Sequence, residues 1–165
     1  MKPLSATEIR ASIVNATTDE IARMPLPGLH ETIWNEREYL GWRDPQSPQR
    51  GYIVFWRDDA PLGMVLRAAT RGSTRSMSAF CSLCRTQQPA HQVSLFSVAK
   101  AGQAGRDGNT VGTYICSDLA CSTLIRILPP PSQMQPNPAE MVASRGAGLL
   151  ARLEGFTNEV LKPVE

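Results

Sequence analysis

Apolar residues recur along this chain with two periods, one helical and one strand-like, and the changes between them divide it into segments. Ser5-Ala6-Thr7-Glu8 has the spacing of a capping box, and Ile9, Ile13 and Val14 then follow at helical intervals, which predicts a helix over residues 6–15. Thr17-Thr18-Asp19-Glu20 repeats the start signal and predicts a second short helix through Ile21 and Met24, stopped by Pro25 and Pro27. Residues 29–40 fit a loop or a brief helix, closed by the turn Asp44-Pro45-Gln46-Ser47-Pro48.

The pattern then becomes strand-like. Tyr52-Ile53-Val54-Phe55-Trp56 and Leu62-Gly63-Met64-Val65-Leu66, joined through Asp58-Asp59-Ala60-Pro61, predict a β-hairpin whose near-continuous apolar run needs cover on more than one face. Thr70 to Met77, rich in Ser, Thr, Arg and Gly, is expected to be a flexible connection. A second hairpin is expected from Val93–Ala99 and Val111–Ile115 around a turn at 101–109, with a polar link through His91 ahead of it. A helix is expected from Leu119 to Leu128, capped by Ser117 or Asp118 and ended by Pro129-Pro130-Pro131. Asn137-Pro138-Ala139-Glu140 opens a long last helix with cap, N1 proline and acidic N3 in place. Its stripe of Leu149, Leu150, Leu153, Phe156, Val160 and Leu161 is expected to dock on the chain's own core, although Gly146 and Gly148 weaken its middle.

Set on these elements are the chain's four cysteines, Cys81 and Cys84 as C-x-x-C and Cys116 and Cys121 as C-x-x-x-x-C. Thiolate suits zinc, and two short-range pairs are the usual feed of a closed tetrahedral site. Four sulfurs leave no open position for water, so the metal expected here is structural. Disulfides would require an oxidising compartment, yet the first residues never develop an apolar signal-peptide core, and no run approaches a membrane span; a cytoplasmic setting is expected. Redox chemistry at Cys81-Ser82-Leu83-Cys84 would leave Cys116 and Cys121 unexplained. Zinc ranks first, redox second and disulfides last. The order knuckle, hairpin, helix start is that of a treble-clef finger.

With 165 residues, 42% hydrophobic and a formal net charge of +2, the chain fits one domain, alone or with an appendage, and its total charge does not indicate a general polyanion binder. Charge distribution says more. No acidic residue lies between Asp59 and Asp107, whereas Arg67, Arg71, Arg75, Arg85, Lys100 and Arg106 all do. Some of these offset a zinc-tetrathiolate dianion; the surplus points to an acidic partner surface, on a protein or on RNA. There is no P-loop, G-x-S-x-G or H-E-x-x-H motif, and His30 and His91 sit in none, so an enzyme is not expected. Asp118 beside the metal reads as a helix cap before it reads as a general base.

The run from Gly108 through Tyr114-Ile115-Cys116-Ser117-Asp118-Leu119-Ala120-Cys121, together with Cys81-Ser82-Leu83-Cys84 and Gly41-Trp42-Arg43-Asp44-Pro45, resembles the elongation factor G-binding protein family, the FusB-type fusidic-acid resistance proteins. The resemblance spans roughly residues 1–128, and its most specific part is the second cysteine pair with the upstream C-x-x-C. It implies one domain over 1–128 with an α+β fold, N-terminal helices and loops over 1–50, an antiparallel β-hairpin over 51–69 and a treble-clef zinc finger over 79–128. The pattern beyond the resemblance adds a proline-rich linker and a long C-terminal helix over 129–165. The resemblance further implies one structural zinc on Cys81, Cys84, Cys116 and Cys121, and a cytoplasmic, non-enzymatic protein that binds elongation factor G and promotes its release from the ribosome, relieving fusidic-acid arrest. Phe96 and Tyr114 are nominated for the recognition surface, with Arg85, Lys100 and Arg106 as its charged rim. The alternative is a finger that binds RNA or the ribosome through its basic stretch. Resistance proteins of this type carry a separate helical bundle ahead of the finger domain. Here only helices and loops are expected before the first strand, which implies a single-domain, housekeeping version.

Overall fold

The structure, a computed structural model, describes residues 1–70, 78–130, 132 and 137–163. Its centre is a five-stranded antiparallel sheet in the order β1-β2-β3-β6-β7, built from β1 (Leu40–Arg43), β2 (Arg50–Arg57), β3 (Ala60–Ala68), β6 (Val93–Ala99) and β7 (Thr110–Cys116). The two expected hairpins are thus one sheet. They meet only briefly, Arg67 opposite Ser97 and Ala68 opposite Phe96, and then splay. Asn15 fills the opening: its amide nitrogen donates to the carbonyls of Val65 and Ala99, and its oxygen accepts from the Val65 N–H.

Strand β2 shows why its apolar run is continuous. Ile53 and Phe55 enter one core with Met64, Leu66, Phe96, Val98, Leu149, Leu153 and Val160, while Tyr52 and Val54 enter another with Ile9, Met24, Leu40 and Trp42. Successive strand residues face opposite ways, so cover on both faces demands apolar residues at every position. One cover is α5 (Pro138–Leu161); the other is α1 (Ala6–Ser12) with α2 (Thr18–Arg23). Both short helices begin in complete capping boxes, Ser5 with Glu8 and Thr17 with Glu20. The turn Asp58-Asp59 has φ of 47° and 60°, the left-handed pair that matches the twist of a two-residue hairpin.

Several boundaries differ from the sequence expectation. The first helix stops at Ser12, and Val14 instead donates to the Gly63 carbonyl beside β3. Residues 29–40 hold two 3-10 turns and open β1, so the first strand starts at Leu40, ahead of the expected hairpin. The turn at 101–109 contains a single helical turn, α3 (Gln103–Arg106). The helix expected over 119–128 is only α4 (Cys121–Leu124): it starts late because Leu119 takes a φ of 60°, outside helical space, and it ends at Leu124, ahead of the prolines expected to stop it. The polar link after Cys84 contains β5 (Gln87–Gln88), which pairs with β4 (Ala79–Phe80) ahead of Cys81. Of the connection expected at Thr70 to Met77, residues 71–77 lie outside the described residues.

Candidate metal centre

Cys81 and Cys84 flank a tight turn between β4 and β5, closed by the N–H of Arg85 on the Cys81 carbonyl and by the Cys81 N–H on the Thr86 carbonyl. Arg85 stands at φ 59° to make that turn. Cys116 ends β7. Asp118 accepts from the N–H of Ala120, turning the chain so that Cys121 starts α4. Asp118 is therefore a turn-forming residue and not the expected cap: the N-cap of α4 is Ala120, with no side-chain cap bond from Ser117 or Asp118.

The four thiols are buried and converge, all ligand atoms lying within 4.8 Å of one another. Sulfur separations are 3.6 Å for Cys81–Cys121, 3.6 Å for Cys84–Cys116 and 3.5 Å for Cys116–Cys121. A tetrahedron with metal–sulfur bonds of about 2.3 Å has edges of about 3.8 Å, whereas a disulfide would need about 2.05 Å. The spacing fits one zinc ion, and none of the cysteines is in a disulfide. The ionisation of the set tells the same story. Hydrogen bonds from neighbouring thiols pull Cys84 well below the ordinary thiol range and Cys81 down to about 7, while Cys116 and Cys121 are pushed up. Four crowded sulfurs cannot all ionise without a central cation, which is the chemistry that zinc supplies.

Further donors orient the sulfurs. Gln88, a buried polar residue of β5, donates from its amide to Cys116 at 3.1 Å, and the Cys84 N–H points to Cys81 sulfur at 3.4 Å. Sequence reading missed Gln88, because nothing local marks a glutamine as buried. It also missed Tyr39. That side chain is fully buried, and burial first, then the charge of Cys121, Cys116 and Cys81, raises its pKa well above normal.

Gly41-Trp42-Arg43-Asp44 is the clamp between sheet and finger. Arg43 donates to the Ser117 carbonyl at 2.7 Å and to the Pro48 carbonyl, with its guanidinium 5.0 Å from the centre of the Phe96 ring. Trp42 stacks on Tyr52 at 5.0 Å and donates to the Pro25 carbonyl, and Asp44 receives the N–H groups of Gln46 and Ser47.

The nominated contact residues part company in the fold. Phe96 is 0% exposed, a core residue under Arg43, and is withdrawn from the recognition surface. Its neighbour Leu95 faces outward instead at 39%, directly opposite Tyr114 at 54%. Ser82 of the knuckle donates to the Tyr114 carbonyl at 2.7 Å, and Phe80, two residues earlier, is 60% exposed. Arg85 is exposed beside the metal. Lys100 and Arg106 stand at the far end of the β6–β7 hairpin, about 20 Å along the strands from Cys116. There Lys100 caps the last helix through the Lys162 carbonyl and Arg106 bonds Gln103. His30 and His91 are exposed and outside the thiol cluster. Among the described residues, no helix is long and apolar enough to cross a membrane.

Residues 8–160 match the family described as FBP C-terminal treble-clef zinc-finger. That span takes in the C-terminal helix as well as the finger. No curated protein sequence matches the chain. Among solved structures, the fusidic acid resistance protein FusC superposes with a TM-score of 0.55 at 24% identity, covering 74% of this chain and 52% of that one. The chain spans about half the length of FusC, and the likeness is one of fold.

Proposed function

The chain belongs to the FBP C-terminal treble-clef zinc-finger family, and from that membership we propose that it binds translation elongation factor G and promotes the factor's release from the ribosome, without covalent chemistry, relieving fusidic-acid arrest. The observation that carries this reading is the finger's outer face. Leu95 and Tyr114 form an exposed cross-strand pair two residues from ligand Cys116, with Phe80 on the adjoining knuckle strand. Exposed aromatic and aliphatic groups held on a rigid hairpin are the usual anchors of protein interfaces, and a closed tetrathiolate is a scaffold rather than a reaction centre. The likeness to FusC, itself a fusidic acid resistance protein, adds support at the level of fold.

Mechanistically, a partner that prefers the dissociating conformation of a GTPase factor shifts its population without breaking any bond. The sheet and finger share one core with α5, so we take residues 8–160 as the working unit. Zinc-loaded protein should retain purified elongation factor G in a pull-down. Cys116→Ala should abolish retention by unfolding the finger, and Tyr114→Ala should weaken it with the fold intact. Absence of any complex at tens of micromolar would refute the reading.

A further inference from the structure

Between the knuckle and α5 lies a cleft of about 530 Å³ lined by Arg85, Arg145 and Arg152, with the hydroxyl-bearing Thr86 and Ser144 and the exposed side chain of Ile127. No acidic residue lines it, and among the described residues none of the three arginines forms a salt bridge. Three cations are thus gathered from positions 60 residues apart in sequence, two of them on α5 and one on the finger. We infer that this cleft binds the phosphodiester backbone of single-stranded RNA.

The simplest competing account is that the arginines only balance the zinc-tetrathiolate. Two observations go against it. Gln88 and the knuckle backbone donate to the sulfurs, and no arginine among the described residues is seen to do so. Three guanidinium charges also exceed the two negative charges of a loaded site. Instead the arginines are aimed by backbone carbonyls: Arg145 donates to those of Ile125 and Ile127, and Arg152 to that of Leu83. Each of these bonds occupies one nitrogen and fixes the planar fork, leaving further N–H groups for a ligand.

Spacing argues for a strand of phosphates over a single carboxylate. The Cα atoms of Arg145 and Arg152, seven residues apart on one helix face, are about 10 Å apart, with Arg85 across the cleft. A row of guanidinium groups matches a ligand that repeats its negative charge along its length, and guanidinium forks pair with phosphate oxygens in bidentate fashion. Ile127 and Leu124 offer apolar surface for a sugar or base edge beside that row. The site shares the rim residue Arg85 with the factor surface nominated from sequence but uses none of Phe80, Leu95 and Tyr114, so the two readings can fail separately.

The test uses the full zinc-loaded chain and a fluorescent oligouridylate of about twelve nucleotides, followed by anisotropy over a range of salt concentrations. Three phosphate contacts on a single strand predict saturable binding with a log–log salt slope of about −2. Arg85→Gln, on an exposed side chain, should flatten the slope by about 0.7. The double variant Arg85→Gln/Arg145→Gln should weaken binding by about tenfold or more, whereas Arg106→Gln at the far end of the hairpin should change it less than about twofold. Zinc content and thermal melts establish that each variant is folded. Because Arg145 also braces two carbonyls, a second measurement on unmodified protein accompanies these: RNA should shield Arg85 and Arg145 from phenylglyoxal, read by mass spectrometry. The inference is overturned if the parent chain shows no saturable RNA binding, if Arg85→Gln leaves the slope unchanged, if RNA fails to shield these arginines, or if an oligoglutamate of equal charge competes as well as the RNA. That last outcome would mark an acidic protein segment as the ligand. A failed factor pull-down alongside intact RNA binding would remove the proposed function and leave this site standing.

Discussion

Gly41 of β1 lies so close to Leu119 that a Cβ at position 41 would come within 2.6 Å of the Leu119 carbonyl oxygen, and within 2.6 Å of the Tyr39 ring. Leu119 holds that place because its φ of 60° turns the chain between ligands Cys116 and Cys121. The sheet and the metal-binding lip are therefore in backbone contact, and glycine is required for the approach itself.

Gly41→Ala should accordingly separate sheet from finger. The obstacle is a backbone oxygen, which cannot swing aside as a side chain would, so we expect a loss of about 1–3 kcal/mol. Urea unfolding measures it, and an unchanged midpoint would contradict the contact.

Removing the metal should have a larger effect. The four converging thiols let one metal tie knuckle, β7 and α4 together, and metal-binding free energy in such sites is folding free energy. Metal analysis should return one zinc per chain, and chelation should collapse the near-ultraviolet circular dichroism; retention of native spectra without zinc would be inconsistent with this site.

Phe96 and Tyr114, neighbours on adjacent strands, should behave oppositely. Phe96→Ala empties a fully buried position and should cost about 3–5 kcal/mol. Tyr114→Ala removes an exposed ring and should stay within about 0.5 kcal/mol of the parent stability. Paired denaturation curves read this difference directly.

Asn15 closes the splay between the hairpins with three hydrogen bonds to main-chain groups. Asn15→Ala strands those partners, and a loss of about 2 kcal/mol is expected. Faster amide exchange at Val65, compared with the parent, would locate the loss in that gap.

The second capping box gives a pH-dependent prediction. Glu20 is held below the usual carboxylate range, first by the Thr17 N–H and also by the Thr17 hydroxyl and by Arg50, opposed by partial burial. A depressed folded-state pKa contributes stability that is present above the unfolded value, near 4.5, and is lost as pH falls through the folded one. Thr17→Ala should cost about 1 kcal/mol near neutral pH. The Glu20→Gln variant and the parent should differ at pH 7 and converge in acid, as thermal melts across that range would show.

Local features of this chain were legible wherever a short stretch carries its own physics. The capping boxes, Pro25 after α2, the asparagine and proline that open α5 and the two cysteine pairs act over a few residues, and they are where reading placed them. Boundaries failed where one backbone angle decided them, as at Leu119.

The sequence by itself determined the metal chemistry, the elements of both hairpins and the need to cover β2 on each face, because thiol spacing and side-chain period are properties of consecutive residues. Tertiary structure alone decided which of the adjacent apolar residues Leu95 and Phe96 faces inward, since alternation defines two faces without saying which one another element will cover. It also decided that Leu40–Arg43 is a strand, that a glutamine reaches a metal ligand, and that Arg85 meets Arg145 and Arg152. Each of these depends on surfaces brought together from distant parts of the chain, which only the packing of α5 and β1 around the common core sets in place.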